Sequence, residues 1–152
     1  MTSAKTKVLI YSDGACSPNP GVGGWGVVLL SPTHNHRKEL SGAEGQTTNN
    51  RMELTAAIKG LEQLKYPCEV DLYTDSTYVQ HAFTKGWLER WQQKGWKTSQ
   101  NKPVENQDLW KRLMALARLH KVQWYWVKGH DTNTENNRCD ELAVQARQSF
   151  KA

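Results

Sequence analysis

Four acidic residues stand where regular structure begins or ends. Asp13 follows the apolar run VLIY and precedes the proline- and glycine-rich stretch GACSPNPGVGG; Glu53 lies in NNRMEL, Asp75 in LYTDST and Asp140 in NRCDELA. Each has a purely structural reading. Asp13-Gly14 is a turn pair, and Asn50-x-x-Glu53 fits a capping box. Asp75 can N-cap a following helix, and Asp140 falls in the first turns of a helix, where an acid favours the dipole. Gathered at one point, the four have a chemical reading instead. Carboxylates clustered without cations repel, so they take up protons or bind metal. Their oxygens select hard cations, and a shell leaving room for water and phosphate suits Mg²⁺, with Mn²⁺ as a substitute. Two such ions about 4 Å apart clamp the attacking and leaving oxygens of a phosphoryl displacement.

A second feature points the same way. The chain carries 20 Lys and Arg against 15 Asp and Glu, a net charge of +5. Residues 84–102, TKGWLERWQQKGWKTSQNK, hold Lys85, Arg90, Lys94, Lys97 and Lys102 against Glu89 alone, so +4 falls within 19 residues. Trp87, Trp91 and Trp96 are interleaved with them. Cations set among flat rings suit a surface that neutralises phosphates and stacks on sugar or base. The same spacing also fits a short amphipathic helix that buries Trp87, Leu88 and Trp91 and leaves its lysines in solvent.

The elements that must position these groups follow from periodicity. Residues 8–12, 26–31 and 37–42 read as three strands of an antiparallel meander, with His34 and His36 in a turn. Pro18, Pro20, Gly21, Gly23 and Gly24 read as breaking any ladder between the first two. A helix from Asn50 places Leu54, Ala57, Ile58, Leu61 and Leu64 on one face, and Tyr66-Pro67 ends it. Residues 70–74 form a fourth strand, followed by a short helix from Ser76. Residues 107–120 form another helix and residues 122–127 a fifth strand. A last helix from Thr134 turns Cys139, Leu142, Ala143 and Ala146 inward. The order implies a single α/β domain over residues 1–152, with a mixed five-stranded sheet flanked by helices. If the first and fourth strands are parallel neighbours, Asp13 and Asp75 meet at their carboxyl ends, where open α/β sheets bind ligands.

Other classes fall away. No apolar run approaches the roughly 20 residues of a membrane span, and residues 1–7 carry no signal-peptide core. Cys16, Cys68 and Cys139 are odd in number and lack a CxxC pair, which argues against disulfides and thiolate zinc and for a cytoplasmic protein. An acid cluster with a basic surface points to a nuclease.

The strings SDGACSPNPGVGGWG, TTNNRMEL, LYTDSTYV, GWKTSQNKPVENQDLW and WVKGH…ENNRCDELA, in this order over about residues 7–146, resemble bacterial type 1 ribonuclease H. The resemblance implies a ribonuclease H-like fold and a monomeric endonuclease that cuts the RNA strand of RNA/DNA hybrids, with no obligate protein partner. It implies two Mg²⁺ ions held by Asp13, Glu53, Asp75 and Asp140, and products with 5′-phosphate and 3′-hydroxyl ends. His130 matches a loop histidine that helps the attacking water or product release. Asn19, Asn49 and Asn50, with backbone from Gly14 to Cys16, match groups that contact RNA 2′-hydroxyls and the minor groove. Thr48 matches part of a DNA-phosphate pocket. Trp87, Lys94, Trp96, Lys97 and Lys102 match the family's basic protrusion.

Three positions depart from the family pattern. Thr77 stands where a longer amide is frequent at an RNA contact, Gln92-Gln93 is less basic than usual, and residues 131–134 lack the customary glycine and proline. Two readings remain beside this one. A DNA-directed nuclease of the same superfamily would need the acids but not the asparagines, and a non-catalytic hybrid-binding module would need no acids.

Overall fold

The computed structural model describes residues 6–128 and 133–150. β1 (Thr6–Cys16), β2 (Gly21–Ser31) and β3 (His36–Thr47) form the meander, with a 3₁₀ turn at Pro32–His34. Then come α1 (Asn49–Glu62), β4 (Cys68–Thr74), α2 (Thr77–Thr84), α3 (Trp87–Gln93), α4 (Gln107–Arg118), β5 (Lys121–Trp126) and α5 (Thr134–Ser149). The sheet order is β3-β2-β1-β4-β5. The β1–β2 and β2–β3 pairs are antiparallel, and the β1–β4 and β4–β5 pairs are parallel, as the sequence order implied.

The sheet buries both faces. On one, Ile10, Val27, Val70 and Leu72 pack with Leu54, Ile58 and Leu61 of α1 and with Trp110 and Leu113 of α4. On the other, Val28 packs with Cys139 and Leu142 of α5, with Tyr11 and Leu30 alongside. Trp110 is fully buried, and its indole N–H donates to the Tyr78 hydroxyl at 3.0 Å, so the core's largest side chain leaves no polar atom unpaired.

The strands run longer than periodicity indicates. β2 begins at Gly21, and Gly23 and Gly24 sit in the ladder opposite Cys16 and Ala15 rather than breaking it. These glycines answer to packing. A Cβ on Gly24 would lie 2.1 Å from the Ala143 carbonyl oxygen, so α5 rests directly on the backbone of β2. β3 extends to Thr47 because its ladder with β2 continues to the Gly21–Thr47 pair, through a polar second half, from Ser41 to Gln46, that carries no apolar alternation. α1 stops at Glu62, short of Tyr66-Pro67, and α4 stops at Arg118.

Candidate active site

The register places two acids side by side. The β1–β4 ladder closes with Ser12 opposite Thr74, so Asp13 and Asp75 each stand one residue past the last pair on neighbouring parallel strands. β1 itself continues to Cys16 against β2, so Asp13 lies within that strand, where it loses its β4 neighbour, and not at its end.

Neighbouring residues take over the structural roles that these acids might have filled. Thr48 caps α1 by accepting from the Arg51 N–H at 3.2 Å, so no Asn50–Glu53 capping box forms and Glu53 is free to turn inward. Ser76, not Asp75, caps α2 by accepting from the Val79 N–H at 3.2 Å. Asn133 caps α5, accepting from Asn136 N–H at 2.8 Å, and Glu135 is the acid of its first turn. Asp140 lies deeper in the helix, beyond the first turn over which the dipole acts.

These acids line one cleft of about 480 Å³ with Gly14, Cys16, Asn49 and Thr77. Gly14 makes the close approach possible. A Cβ there would lie 2.5 Å from the Met52 carbonyl carbon and 2.6 Å from the Glu53 nitrogen, so β1 and α1 touch backbone to backbone. Carboxylate oxygens of Asp13, Glu53 and Asp75 lie within 4.8 Å of one another, the one such group among the described residues. Asp140 lines the cleft outside this trio, and its charge bears on Asp13.

The electrostatics are those of an uncompensated cluster. Asp13 is 4% exposed, and its carboxyl is pushed up to about 8, first by burial and then by the Asp75 charge. The Gly14 N–H donates to Asp13 Oδ1 at 2.8 Å and fixes the carboxyl. Glu53 is pushed well above the carboxylate range, by burial and then by Asp13. Its Oε1 is buried with no hydrogen-bond partner. Crowded hard oxygens, raised affinities for a positive charge and an orphaned acceptor fit a divalent cation.

The amides around the cleft are tied to one another. The Cys16 N–H donates to Asn49 Oδ1 at 2.6 Å, and the Asn49 N–H donates to Asn19 Oδ1 at 3.2 Å. Asn50 is exposed in the first turn of α1, and Thr77 is exposed at the start of α2. Thr48 borders an adjoining hollow with Asn19, Asn49, Asn50 and Asn106. His130 lies outside the described residues.

The basic segment takes the amphipathic arrangement, with its tryptophans turned to the core and its lysines to solvent. Trp87, Trp91 and Trp96 pack against the core, with Trp91 5.6 Å from Trp110 and 6.2 Å from Trp96 between ring centroids. Lys111 Nζ sits 5.3 Å from the centre of the Trp96 ring. Trp87 and Trp96 are thus half-buried anchors, while Lys94, Lys97 and Lys102 are exposed.

Two residues of this region escape sequence patterning. Asn106, at φ 62°, donates to the Tyr78 hydroxyl at 3.1 Å and accepts from Arg51 at 3.2 Å. An Asn directly before an amphipathic helix was the available signal. Arg147 lines the acid cleft, and its spacing from Asp140 was the signal for it.

Comparison with known proteins completes the picture. The family model described as RNase H matches residues 5–148. The chain is 61% identical over 140 residues to Ribonuclease H of Moorella thermoacetica, covering 92% of this chain and 91% of that protein. It is 60% identical over 140 residues to Ribonuclease H of Symbiobacterium thermophilum, covering 92% and 94%. Among solved structures, LC9-RNase H1, a type 1 RNase H with the type 2 active-site motif, superposes with a TM-score of 0.88 at 29% identity, covering 99% of this chain and 76% of that one. LC11-RNase H1 in complex with RNA/DNA hybrid superposes at 0.70 with 25% identity, covering 93% and 96%.

Proposed function

The chain belongs to the ribonuclease H family, in its bacterial type 1 branch, and on that premise we propose that it cuts the RNA strand of RNA/DNA hybrids with two divalent ions, leaving 5′-phosphate and 3′-hydroxyl ends. The observation that carries this reading is the trio of Asp13, Glu53 and Asp75, with the orphaned Glu53 Oε1 inside it. Asp140 completes the ligand set from α5. Bound there, Mg²⁺ or Mn²⁺ supplies Lewis-acid chemistry at the scissile phosphate.

The chain's own groups do the rest. Asp13, clamped by the Gly14 N–H, stands between Glu53 of α1 and Asp75 just past the end of β4. The Asn19–Asn49–Cys16 chain of hydrogen bonds engages the Asn49 side-chain oxygen and leaves its NH₂ to meet a ribose 2′-hydroxyl. That hydroxyl is what distinguishes RNA from DNA on the cut strand. Asn50 and Thr77 border the same strand, and Thr48 borders a phosphate of the other. His130 carries a proton for the attacking water or the product. Lys94, Lys97 and Lys102 hold hybrid phosphates from an arm braced by Trp87 and Trp96. The enzyme acts as a single-domain cytoplasmic monomer. No helix of the described residues is long and apolar enough to cross a membrane, and Cys16, Cys68 and Cys139 are buried free thiols.

The test incubates the protein with labelled RNA/DNA, RNA/RNA and DNA/DNA duplexes, in Mg²⁺ and in EDTA. Cleavage confined to the RNA strand of the hybrid, dependent on Mg²⁺, is the expected result. Cutting of the DNA duplex would transfer the assignment to a DNA-directed nuclease.

A further inference from the structure

Among the described residues lining the acid cleft, Arg147 is the sole basic one. It follows Asp140 by seven residues of α5, which is 700° of helical rotation, so the two side chains leave the helix within about 20° of each other and about 10.5 Å apart along the axis. The base of this side chain is rigid. The Arg147 backbone nitrogen lies 2.9 Å from where a Gly24 Cβ would stand, and α5 is further pinned by the two-pronged pairing of Arg138 with Glu39 at 2.9 and 3.0 Å.

Its bonding is incomplete. Arg147 Nε is buried and lacks a hydrogen-bond partner. Among the described residues no carboxylate forms an ion pair with it, although the cleft is rich in acids. Were it a counter-charge for the cluster, it would be paired with one of the acids. Arg147 as a whole is half-buried: Nε is closed off, and the terminal NH₂ groups, which are not among the buried atoms and make no hydrogen bond among the described residues, are what an acceptor in the cleft can reach. The acceptor that best matches a planar guanidinium fork is a phosphate or carboxylate.

We propose that Arg147 is a substrate-contacting residue that holds a phosphate of the cut RNA strand, within two linkages of the scissile one. This rests on the reading that the acid cleft holds the RNA strand, because the phosphates nearest the metal ligands are then that strand's own. Arg147 fixes the strand's register over the acids and takes no part in bond breaking. Its signature is therefore in binding and salt dependence rather than in turnover.

The test uses the full chain and a defined hybrid in Mg²⁺. Arg147→Ala should raise KM about 10-fold at 0.1 M salt, hold kcat within about 3-fold, and flatten the slope of log affinity against log salt by about 0.7 to 0.9. Arg147→Lys should recover part of the affinity by charge alone. A neutral methylphosphonate, moved along the RNA strand one linkage at a time, should weaken binding to the wild type at one position near the cut and cost Arg147→Ala nothing there. Arg147→Gln, which removes the charge but keeps most of the side chain's bulk, replaces the alanine variant in the same scan if that variant folds poorly. Unchanged KM and salt slope, or equal methylphosphonate responses in both proteins, would overturn the proposal. Failure of the wild type to cut hybrid would sink the functional reading as well, whereas normal wild-type cutting with an indifferent Arg147→Ala sinks this proposal alone.

Discussion

Replacing Asp13 by Asn tests the electrostatics of the cleft before any substrate is added. The Asp13 carboxyl is pushed from 3.8 up to about 8, by burial and by Asp75. Between those two values the unfolded chain has released the proton and the folded chain still holds it. Stability without metal therefore falls as pH rises from about 4 to about 8, then levels off. At pH 7 the gap of about three units below neutrality corresponds to a ceiling of about 4 kcal/mol. Asp13 and Glu53 each raise the other's proton affinity, and one proton relieves the repulsion between them, so the expected gain on removing the charge is about 1–3 kcal/mol. Asn preserves the size of the side chain and an oxygen for the Gly14 N–H. For a chain of this length the gain corresponds to a rise of about 3–10 °C in Tm. Thermal melts followed by circular dichroism at pH 5, 7 and 8.5, in EDTA and in Mg²⁺, provide the readout. In EDTA the wild type should lose Tm with rising pH while Asp13→Asn stays higher and flatter, and Mg²⁺ should narrow the difference. An Asp13→Asn protein melting at or below the wild type at pH 8.5 in EDTA would mean that the Asp13 charge does not strain the empty cleft.

Replacing Lys94, Lys97 and Lys102 together by alanine should raise KM at low salt, leave saturated kcat within a few-fold, and flatten the salt slope by about 0.7 to 0.9 for each phosphate no longer neutralised; an unchanged slope in steady-state assays across salt would make these lysines a solvated surface only. Gly24→Ala should destabilise the fold by about 3 kcal/mol, because a methyl group 2.1 Å from the Ala143 carbonyl oxygen must push α5 off the sheet. Urea unfolding measures this loss, and an unchanged midpoint would contradict the close backbone approach of α5 to β2.

The sequence makes the order of elements legible because apolar periodicity marks the segments that face the core. The helical stripe from Leu54 to Leu61 and the alternation at Val70 and Leu72 both report burial, and both are buried. Edges and ends are less legible. The second half of β3 is an exposed edge held by backbone hydrogen bonds, which side-chain patterning does not record. The glycines of β2 look like breakers in one dimension, while in three they are the floor on which α5 lies. At the site, the acids were visible as residues, but the carriers of their apparent structural roles were not. Capping by Thr48 and Ser76, one or two residues away from the expected positions, frees Glu53 and Asp75 for the cleft. Arg147 was hidden for a different reason. A single arginine near the end of an amphipathic helix resembles any solvated cation until its register with Asp140 is seen on the folded helix.

Everything proposed for the cleft depends on Asp13 helping to hold the ions that break the RNA strand without being needed to bind the hybrid. Single-turnover cleavage of a labelled hybrid by the wild type and by Asp13→Asn in Mg²⁺, with the hybrid Kd of both proteins taken under the same conditions, separates these two roles. The wild type should cleave the RNA strand, the variant should be slower by at least about 1000-fold, and the two Kd values should lie within a few-fold of each other. A variant that binds hybrid as well as the wild type and still cuts it at a comparable rate would remove Asp13 from the metal site and the two-ion mechanism with it.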